Sequence, residues 1–135
     1  MVLVDTSVLI DYLKGIDTDG TRHFDKIIDS NIPYGINDYV YQEILQGART
    51  EAEFEKLKDY FETIPFYYLK FGKESYERAA LLNYRCRKRG MTIRSTIDLL
   101  IAEIAIENEL YLLHSDSDFD NIAKVSKVLK LYIKA

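Results

Sequence analysis

Two short apolar runs in this chain are each followed closely by an aspartate, and this pattern constrains both the fold and the chemistry. Val2-Leu3-Val4 leads directly to Asp5, and the run from Leu110 to Leu113 is followed shortly by Asp116. Continuous apolar runs of this length are typical of strands that are buried on both faces of a parallel sheet. The sequence therefore predicts two buried parallel strands with carboxylates just beyond their carboxyl ends.

Segments with a helical period of apolar residues alternate with these strands. Helices are predicted directly after Asp5 and at residues 21–30, 38–46, 50–63, 73–89, 96–108 and 120–124, and further strands at 33–36, 64–69 and 128–133. This alternation favours an α/β fold, a three-layer α/β/α sandwich around a mostly parallel sheet of about five strands. Because the chain has no repeat, low-complexity tract or linker-like stretch, residues 1–135 are expected to form a single domain.

Composition excludes several classes of protein. No apolar run approaches the ~20 residues that cross a bilayer, and no basic stretch precedes the first apolar residues, so a cytoplasmic protein without membrane contact is expected. The single Cys86 excludes an internal disulfide framework and a thiolate zinc site. A glycine-rich phosphate loop and the motifs of serine hydrolases are both missing from the sequence.

Acidic residues from distant parts of the chain are expected to meet at one edge of the sheet. In open parallel sheets the functional site lies beyond the carboxyl ends of the strands, where Asp5 and Asp116 are predicted. Glu43 and Asp98 border the buried stripes of two predicted helices. Clustered carboxylates repel one another unless a cation joins them. Oxygen ligands without cysteine or clustered histidine favour Mg²⁺ or Mn²⁺, and therefore phosphate-ester chemistry.

Each of these acids also has an ordinary structural explanation. Asp5 can cap the first helix, and Asp98 completes a possible capping box that begins at Ser95. Asp116 and Asp118 can form turns that lead into the last helix. For His114, a structural strand-end imidazole is favoured over a substrate contact.

Positive charge is concentrated in one short segment. The formal net charge of −4 does not by itself predict nucleic-acid binding. Cations bound by the clustered acids would nevertheless cancel most of that charge. The cationic residues of this segment either complement the negative end of a helix dipole or contact phosphate groups. They are Arg85, Arg87, Lys88, Arg89 and Arg94.

Four blocks of the sequence, taken together, resemble PIN-domain ribonucleases, in particular the VapC-type toxins of toxin–antitoxin pairs. The blocks are residues 4–10, 40–47, 93–102 and 112–119, and the resemblance extends over nearly the whole chain in the same order and spacing. It implies cleavage of RNA that depends on Mg²⁺ or Mn²⁺. It also implies a homodimer and inhibition by a cognate VapB-type antitoxin, whose C-terminal tail enters the active-site groove.

The resemblance also implies roles for individual residues. The metal-binding and catalytic acids would be Asp5, Glu43, Asp98 and Asp116, with Asp118 as an accessory acid. The family varies at the fourth acidic position, so either Asp116 or Asp118 can be the direct ligand. Thr6 or Ser7 would hydrogen-bond to the first aspartate and orient it.

Three other interpretations of the sequence compete with a nuclease function. A receiver-like signalling domain needs an aspartate after its middle strand, but the predicted strand at 64–69 is followed by Lys70. A haloacid-dehalogenase-like phosphatase needs an aspartate where Ser7 stands. A catalytically inactive PIN-type module that only binds RNA remains the more serious alternative.

Overall fold

The protein, described here over residues 1–132 by a computed structural model, is built around one parallel sheet. The elements in chain order are β1 (Val2–Val4), α1 (Thr6–Leu13), α2 (Asp19–Asp29), β2 (Tyr34–Gly35), α3 (Asp38–Gln46), α4 (Glu51–Phe61), α5 (Lys73–Lys88), α6 (Thr96–Glu107), β3 (Tyr111–Leu113), α7 (Ser117–Val125) and β4 (Lys130–Leu131). The predicted α/β fold is confirmed.

Strand β1 lies at the centre of the sheet, whose strand order is β2-β1-β3-β4. All three of its residues are buried, although successive side chains point to opposite faces, so helices cover both faces of the sheet. Helix α1 packs on α2 and α3, while α5, α6 and α7 pack on one another. This is the predicted three-layer arrangement.

The register of β1 and β3 brings two chain segments to the same edge. Val4 pairs with Leu113, and the Asp5 amide donates to the Leu113 carbonyl at 2.9 Å. The residues that follow each strand therefore emerge side by side, about one strand spacing apart (~4.8 Å).

The segment at 64–69, predicted as a strand, contributes only an isolated bridge between Ile36 and Phe66. The described residues therefore form four strands where the sequence suggests about five. Pro65 has no N–H to donate, which limits the ladder to the immediate surroundings of the bridge. Beyond it, the side chain of Glu107 bonds the Lys70 amide at 2.7 Å, in place of a neighbouring strand.

The last two elements also differ in length from their predictions. Helix α7 begins at Ser117, earlier than the predicted start at residue 120, because the Asp116 side chain caps it by accepting from the Asp118 amide. Strand β4 is shorter than the predicted 128–133, and residue 133 lies outside the described part of the chain.

Helix α6 passes through the centre of the molecule, with every residue from Leu99 to Ala105 buried. One of these buried residues is Glu103, a carboxyl group among apolar side chains. Within residues 1–132, no helix is both long and apolar enough to span a bilayer.

Candidate metal centre at the carboxyl edge of the sheet

Asp5 is held at the end of β1 by the residues that begin α1. Its Oδ2 accepts hydrogen bonds from the Ser7 amide at 3.0 Å and the Ser7 hydroxyl at 2.7 Å. The Ser7 hydroxyl also accepts from the Ser115 amide at 2.9 Å, which ties the ends of β1 and β3 together. Burial raises the pKa of Asp5, and the bonds from Ser7 only partly oppose that rise. Asp5 is therefore both the helix cap that the sequence allows and a buried acid at the sheet edge.

Asp98 lies in the first turn of α6 and faces the end of the sheet. The Ser95 hydroxyl caps this helix by accepting from the Ile97 amide at 3.2 Å. The Asp98 carboxylate is directed toward the two acids that follow β3. Ligand oxygens of Asp98, Asp116 and Asp118 all lie within 4.8 Å of one another.

The pKa of Asp98 is raised by its burial and, after that, by the acids around it. Burial and the charges of four neighbouring acids together bring it to about 7; these acids are Asp5, Asp116, Asp118 and Glu43. All five carboxylates therefore share one electrostatic environment. A carboxylate with its pKa near neutrality is costly to ionise unless a cation is bound nearby.

Glu43 lies at the side of this cluster, on α3. Its Oε1 accepts from the Thr6 hydroxyl at 3.4 Å. Burial and the charge of Asp5 raise the pKa of Glu43. The structure thus brings Glu43 close to Asp5 but outside the tight group of three aspartates.

Arg94, predicted as an RNA contact, lies on the acidic cluster itself. Its backbone amide and Nε donate to Asp118 Oδ2 at 3.1 and 3.2 Å, and its Nη2 donates to Asp116 Oδ1 at 2.9 Å. Asp118 is buried, whereas 70% of the Arg94 side chain is exposed. No sequence pattern indicated this contact, because it depends on the path of the loop that precedes α6.

His114 has both ring nitrogens engaged. Its Nδ1 accepts from the Asp116 amide at 3.1 Å, and its Nε2 lies 3.4 Å from Asp120 Oδ1. The ring packs against Phe119 with centroids 5.1 Å apart. This geometry agrees with a structural role for the imidazole, which positions the backbone of Asp116.

The remaining predicted RNA contacts are separate from the acids. The exposed residues Arg85, Arg87 and Lys88 lie on the last turns of α5, and the exposed Arg89 follows directly. Arg89 Nη1 donates to the Lys124 carbonyl at 2.7 Å, near the far end of α7. The structure therefore places these four cations at the C-terminal end of α5, with Arg89 bonded to α7, and only Arg94 in the cluster.

The donor set of the cluster fits a hard divalent cation. Its ligand atoms are all carboxylate oxygens, from Asp98, Asp116 and Asp118, with Asp5 and Glu43 adjacent. Oxygen donors without thiolate or imidazole suit Mg²⁺ or Mn²⁺ better than Zn²⁺. The raised pKa of Asp98 shows that burial and the neighbouring acids disfavour its ionised form, which a bound cation would stabilise. Both observations agree with the predicted metal site.

Comparison with known proteins gives a consistent result. A family model described as PIN domain matches residues 2–125. The VapC ribonuclease Mb1587 of Mycobacterium bovis and the ribonuclease VapC11 of Mycobacterium tuberculosis are each 28% identical to this chain over 130 residues, covering 95% of it and 96% of the relative.

Solved structures with a similar fold come from toxin–antitoxin complexes. VapBC2 from Rickettsia felis, bound to a DNA fragment from its promoter, matches with a TM-score of 0.72 at 19% identity over 98% of both chains. VapBC-1 from nontypeable Haemophilus influenzae matches with a TM-score of 0.71 at 19% identity, over 98% of this chain and 97% of the other. At these identities the likeness establishes the fold.

Proposed function

The chain belongs to the PIN-domain family, and on that premise we propose that it is a metal-dependent endoribonuclease, the toxin of a VapBC-type pair. The observation that carries the proposal is the convergence of Asp5, Asp98 and Asp116 at one edge of the sheet. The full-length similarity to VapC ribonucleases supports the choice of RNA as substrate. A cytoplasmic location is part of this proposal, since the proposed substrate is RNA.

The catalytic acids in this proposal are Asp5, Glu43, Asp98 and Asp116, which would hold one or more Mg²⁺ or Mn²⁺ ions. A bound ion supplies an activated water and neutralises charge on the phosphodiester. Asp118 is a supporting acid, and Thr6 and Ser7 are positioning residues. The hydroxyl of Ser7 fixes Asp5, and the hydroxyl of Thr6 holds Glu43 toward Asp5.

RNA contact is proposed for the cationic residues at the C-terminal end of α5 and for Arg94. Exposed guanidinium groups recognise phosphate oxygens through paired hydrogen bonds. Because the cations on α5 lie outside the acidic cluster, the substitution Arg87→Glu is expected to weaken RNA binding while leaving metal affinity unchanged. Equal loss of both would contradict this division of roles. The proposed RNA-binding residues are Arg85, Arg87, Lys88, Arg89 and Arg94.

A VapB-type antitoxin is the proposed protein partner. A groove of about 450 Å³ adjoins Glu43 and is lined in part by the exposed apolar side chains of Ile10 and Leu13, with Arg49 at its wall. An apolar antitoxin tail that carries a carboxylate would match this lining. Structures similar in fold are toxin–antitoxin complexes, including one from Klebsiella pneumoniae. The substitution Leu13→Asp is expected to abolish co-purification of the antitoxin, while RNA cleavage is retained.

A homodimer is proposed as the oligomeric state, following the family resemblance. Light scattering after gel filtration should give twice the chain mass of 15.7 kDa. A mass of one chain at micromolar concentration would contradict it.

The nuclease proposal is tested by incubating the purified protein with candidate RNAs and Mn²⁺, with and without a chelator. Cleavage is expected only with the ion, and Asp5→Asn is expected to abolish it while the fold persists. Asp59→Asn, which alters an exposed carboxylate on α4, is the matched control and should cleave normally. RNA binding without cleavage by the wild type would instead identify an inactive RNA-binding module.

A further inference from the structure

The guanidinium of Arg94 and a divalent ion require the same carboxylates. Asp118 Oδ2 accepts two hydrogen bonds, both from Arg94. Asp116 Oδ1 also accepts two, one from Arg94 Nη2 and one from the Asp118 amide. These two acids are also two of the three whose oxygens lie close enough to hold an ion.

We propose that Arg94 is a resident cation of the acidic cluster, which competes with the divalent ion for Asp116 and Asp118. This inference rests on the proposed metal-dependent nuclease and assigns a further role within that site. Without an ion, the guanidinium supplies the positive charge that the crowded carboxylates need. When an ion binds, the guanidinium must leave Asp116 or share it.

The guanidinium of Arg94 can leave the carboxylates without disturbing the fold. The side chain of Arg94 is 70% exposed, so its charged end can move into solvent without opening the core. The Arg94 backbone amide also bonds Asp118, at 3.1 Å, and this bond does not involve the side chain. Asp118, which is buried, therefore keeps one donor after the guanidinium departs.

Release of the guanidinium has a consequence for the substrate. A guanidinium carries five N–H donors, and these suit phosphate as well as carboxylate. Once the ion has displaced it from Asp116, Arg94 lies at the rim of the metal site with its donors free for an RNA phosphate. Ion binding and RNA binding are thereby coupled through one side chain.

Titration calorimetry with Mn²⁺ as the probe tests the competition directly. Arg94→Gln removes the charge and is expected to bind Mn²⁺ about threefold to tenfold more tightly than the wild type, since a partly exposed ion pair contributes modestly. Arg94→Lys retains the charge and should remain nearer to the wild type. Arg87→Gln removes an equal charge from α5 and is the matched control, with unchanged affinity expected.

A second readout does not depend on ion affinity. In chelator, Arg94→Gln should melt at a lower temperature than the wild type, because the carboxylates lose their counter-charge. The stabilisation produced by saturating Mn²⁺ should then be larger in this variant. Circular dichroism at low temperature establishes that each variant is folded before titration.

Each outcome has a definite meaning. Tighter Mn²⁺ binding by Arg94→Gln alone supports competition. Unchanged or weaker binding overturns it, since the guanidinium would then be irrelevant to the ion or would organise its ligands. If the wild type and every variant fail to bind Mn²⁺, both this inference and the proposed nuclease site are wrong. If the wild type binds Mn²⁺ and cleaves RNA, but Arg94→Gln has the same Mn²⁺ affinity as the wild type, only this inference is wrong.

Discussion

At the scale of single residues, Asp98 carries the clearest conflict between stability and function. Burial and four neighbouring acids raise the pKa of its carboxyl group from 3.8 to about 7. Its contribution to stability is therefore complete below pH ~4 and is lost as the pH rises through about 7. At pH 8 the metal-free protein contains an ionised Asp98 that the fold disfavours.

Asp98→Asn is accordingly predicted to change activity and stability in opposite directions. Metal-dependent RNA cleavage should fall to background, because a ligand is lost. At pH 8 in chelator, the free energy of unfolding should rise by about 1–2 kcal/mol, less than the full pKa shift would give because part of the side chain contacts water. Urea denaturation at pH 5 and pH 8 measures the effect.

The same measurements on Asp59→Asn provide the control. This exposed aspartate lies on α4, and its substitution should leave both cleavage and the pH dependence of unfolding near wild-type values. If Asp98→Asn were less stable than the wild type at pH 8 without metal, electrostatic repulsion in the cluster would not be the dominant effect there.

Residues at strand ends were predictable in a way that loop residues were not. Asp5 follows an apolar strand directly, so its position at the sheet edge depends only on the parallel arrangement of β1 and β3. Asp116 follows β3 by a few residues and is predictable by the same reasoning. The contact of Arg94 with Asp118 is different, because it joins a loop to a helix that are separated by 24 residues in the chain. Local patterns carry no information about such a pairing.

At the scale of elements, α6 carries a pair of neighbouring acids, Glu103 and Glu107, apart from the candidate metal centre. Burial and a shared hydrogen bond with Glu107 raise the pKa of Glu103 to about 8. Burial also pushes up the pKa of Glu107, but hydrogen bonds from Glu103, the Lys70 amide and the Ser75 hydroxyl outweigh burial and lower it. Glu107 Oε2 has no hydrogen-bond partner within residues 1–132, and the hydrogen bond between the two carboxyl groups requires a proton on one of them, which the raised pKa assigns to Glu103.

This pair is predicted to make α6 sensitive to alkaline pH. The folded-state pKa of Glu103 lies above its unfolded value, so its stabilising contribution is complete below pH ~4.5 and is lost as the pH rises through about 8. Glu103→Gln retains a neutral donor at every pH. The free energy of unfolding of the wild type should therefore fall by about 1–3 kcal/mol more than that of Glu103→Gln between pH 6 and pH 9.

Urea denaturation in chelator at pH 6, 7.5 and 9 gives this difference. The raised pKa of Asp98 affects both proteins equally and cancels in the comparison. Glu109→Gln, in the turn after α6, alters a carboxylate outside the helix and should follow the wild type. Parallel curves for wild type and Glu103→Gln would mean that no proton is shared between the two glutamates.

Helix boundaries were largely predictable, since apolar period and caps agree along most of the chain. Helix α3 occupies the predicted 38–46, and α6 ends one residue before its predicted limit.

The segment at 64–69 does not form the predicted strand, and the reason lies in its tertiary contacts. Its aromatic residues favour a strand, but Asn108 at the end of α6 bonds the Tyr68 carbonyl at 2.9 Å, and Glu107 takes the Lys70 amide. Side chains from a helix replaced the missing strand partner.

At the scale of the whole molecule, the acidic cluster exists only when distant segments come together. Asp5 and Asp116 are joined by the pairing of β1 with β3, whereas Asp98 arrives on the helix that precedes β3. An unfolded chain therefore offers no comparable site. The affinity of the proposed ion would consequently contribute to folding stability, since such an ion binds the folded state and not the unfolded one.

Residues 1–135 are accordingly predicted to unfold in one cooperative transition whose midpoint rises with Mn²⁺. At an ion concentration about a hundredfold above Kd, mass action contributes about 2.7 kcal/mol, which raises Tm by about 10 °C for a domain of this size. Calorimetric scans with Mn²⁺ and with chelator measure the shift in Tm, and the double variant Asp5→Asn, Asp98→Asn should lose it.

Two separate transitions would contradict the single domain, because the two halves of the sheet would then unfold independently. An undiminished shift in the double variant would locate the ion elsewhere, because removing two acids that converge from different segments must weaken any site that they build together.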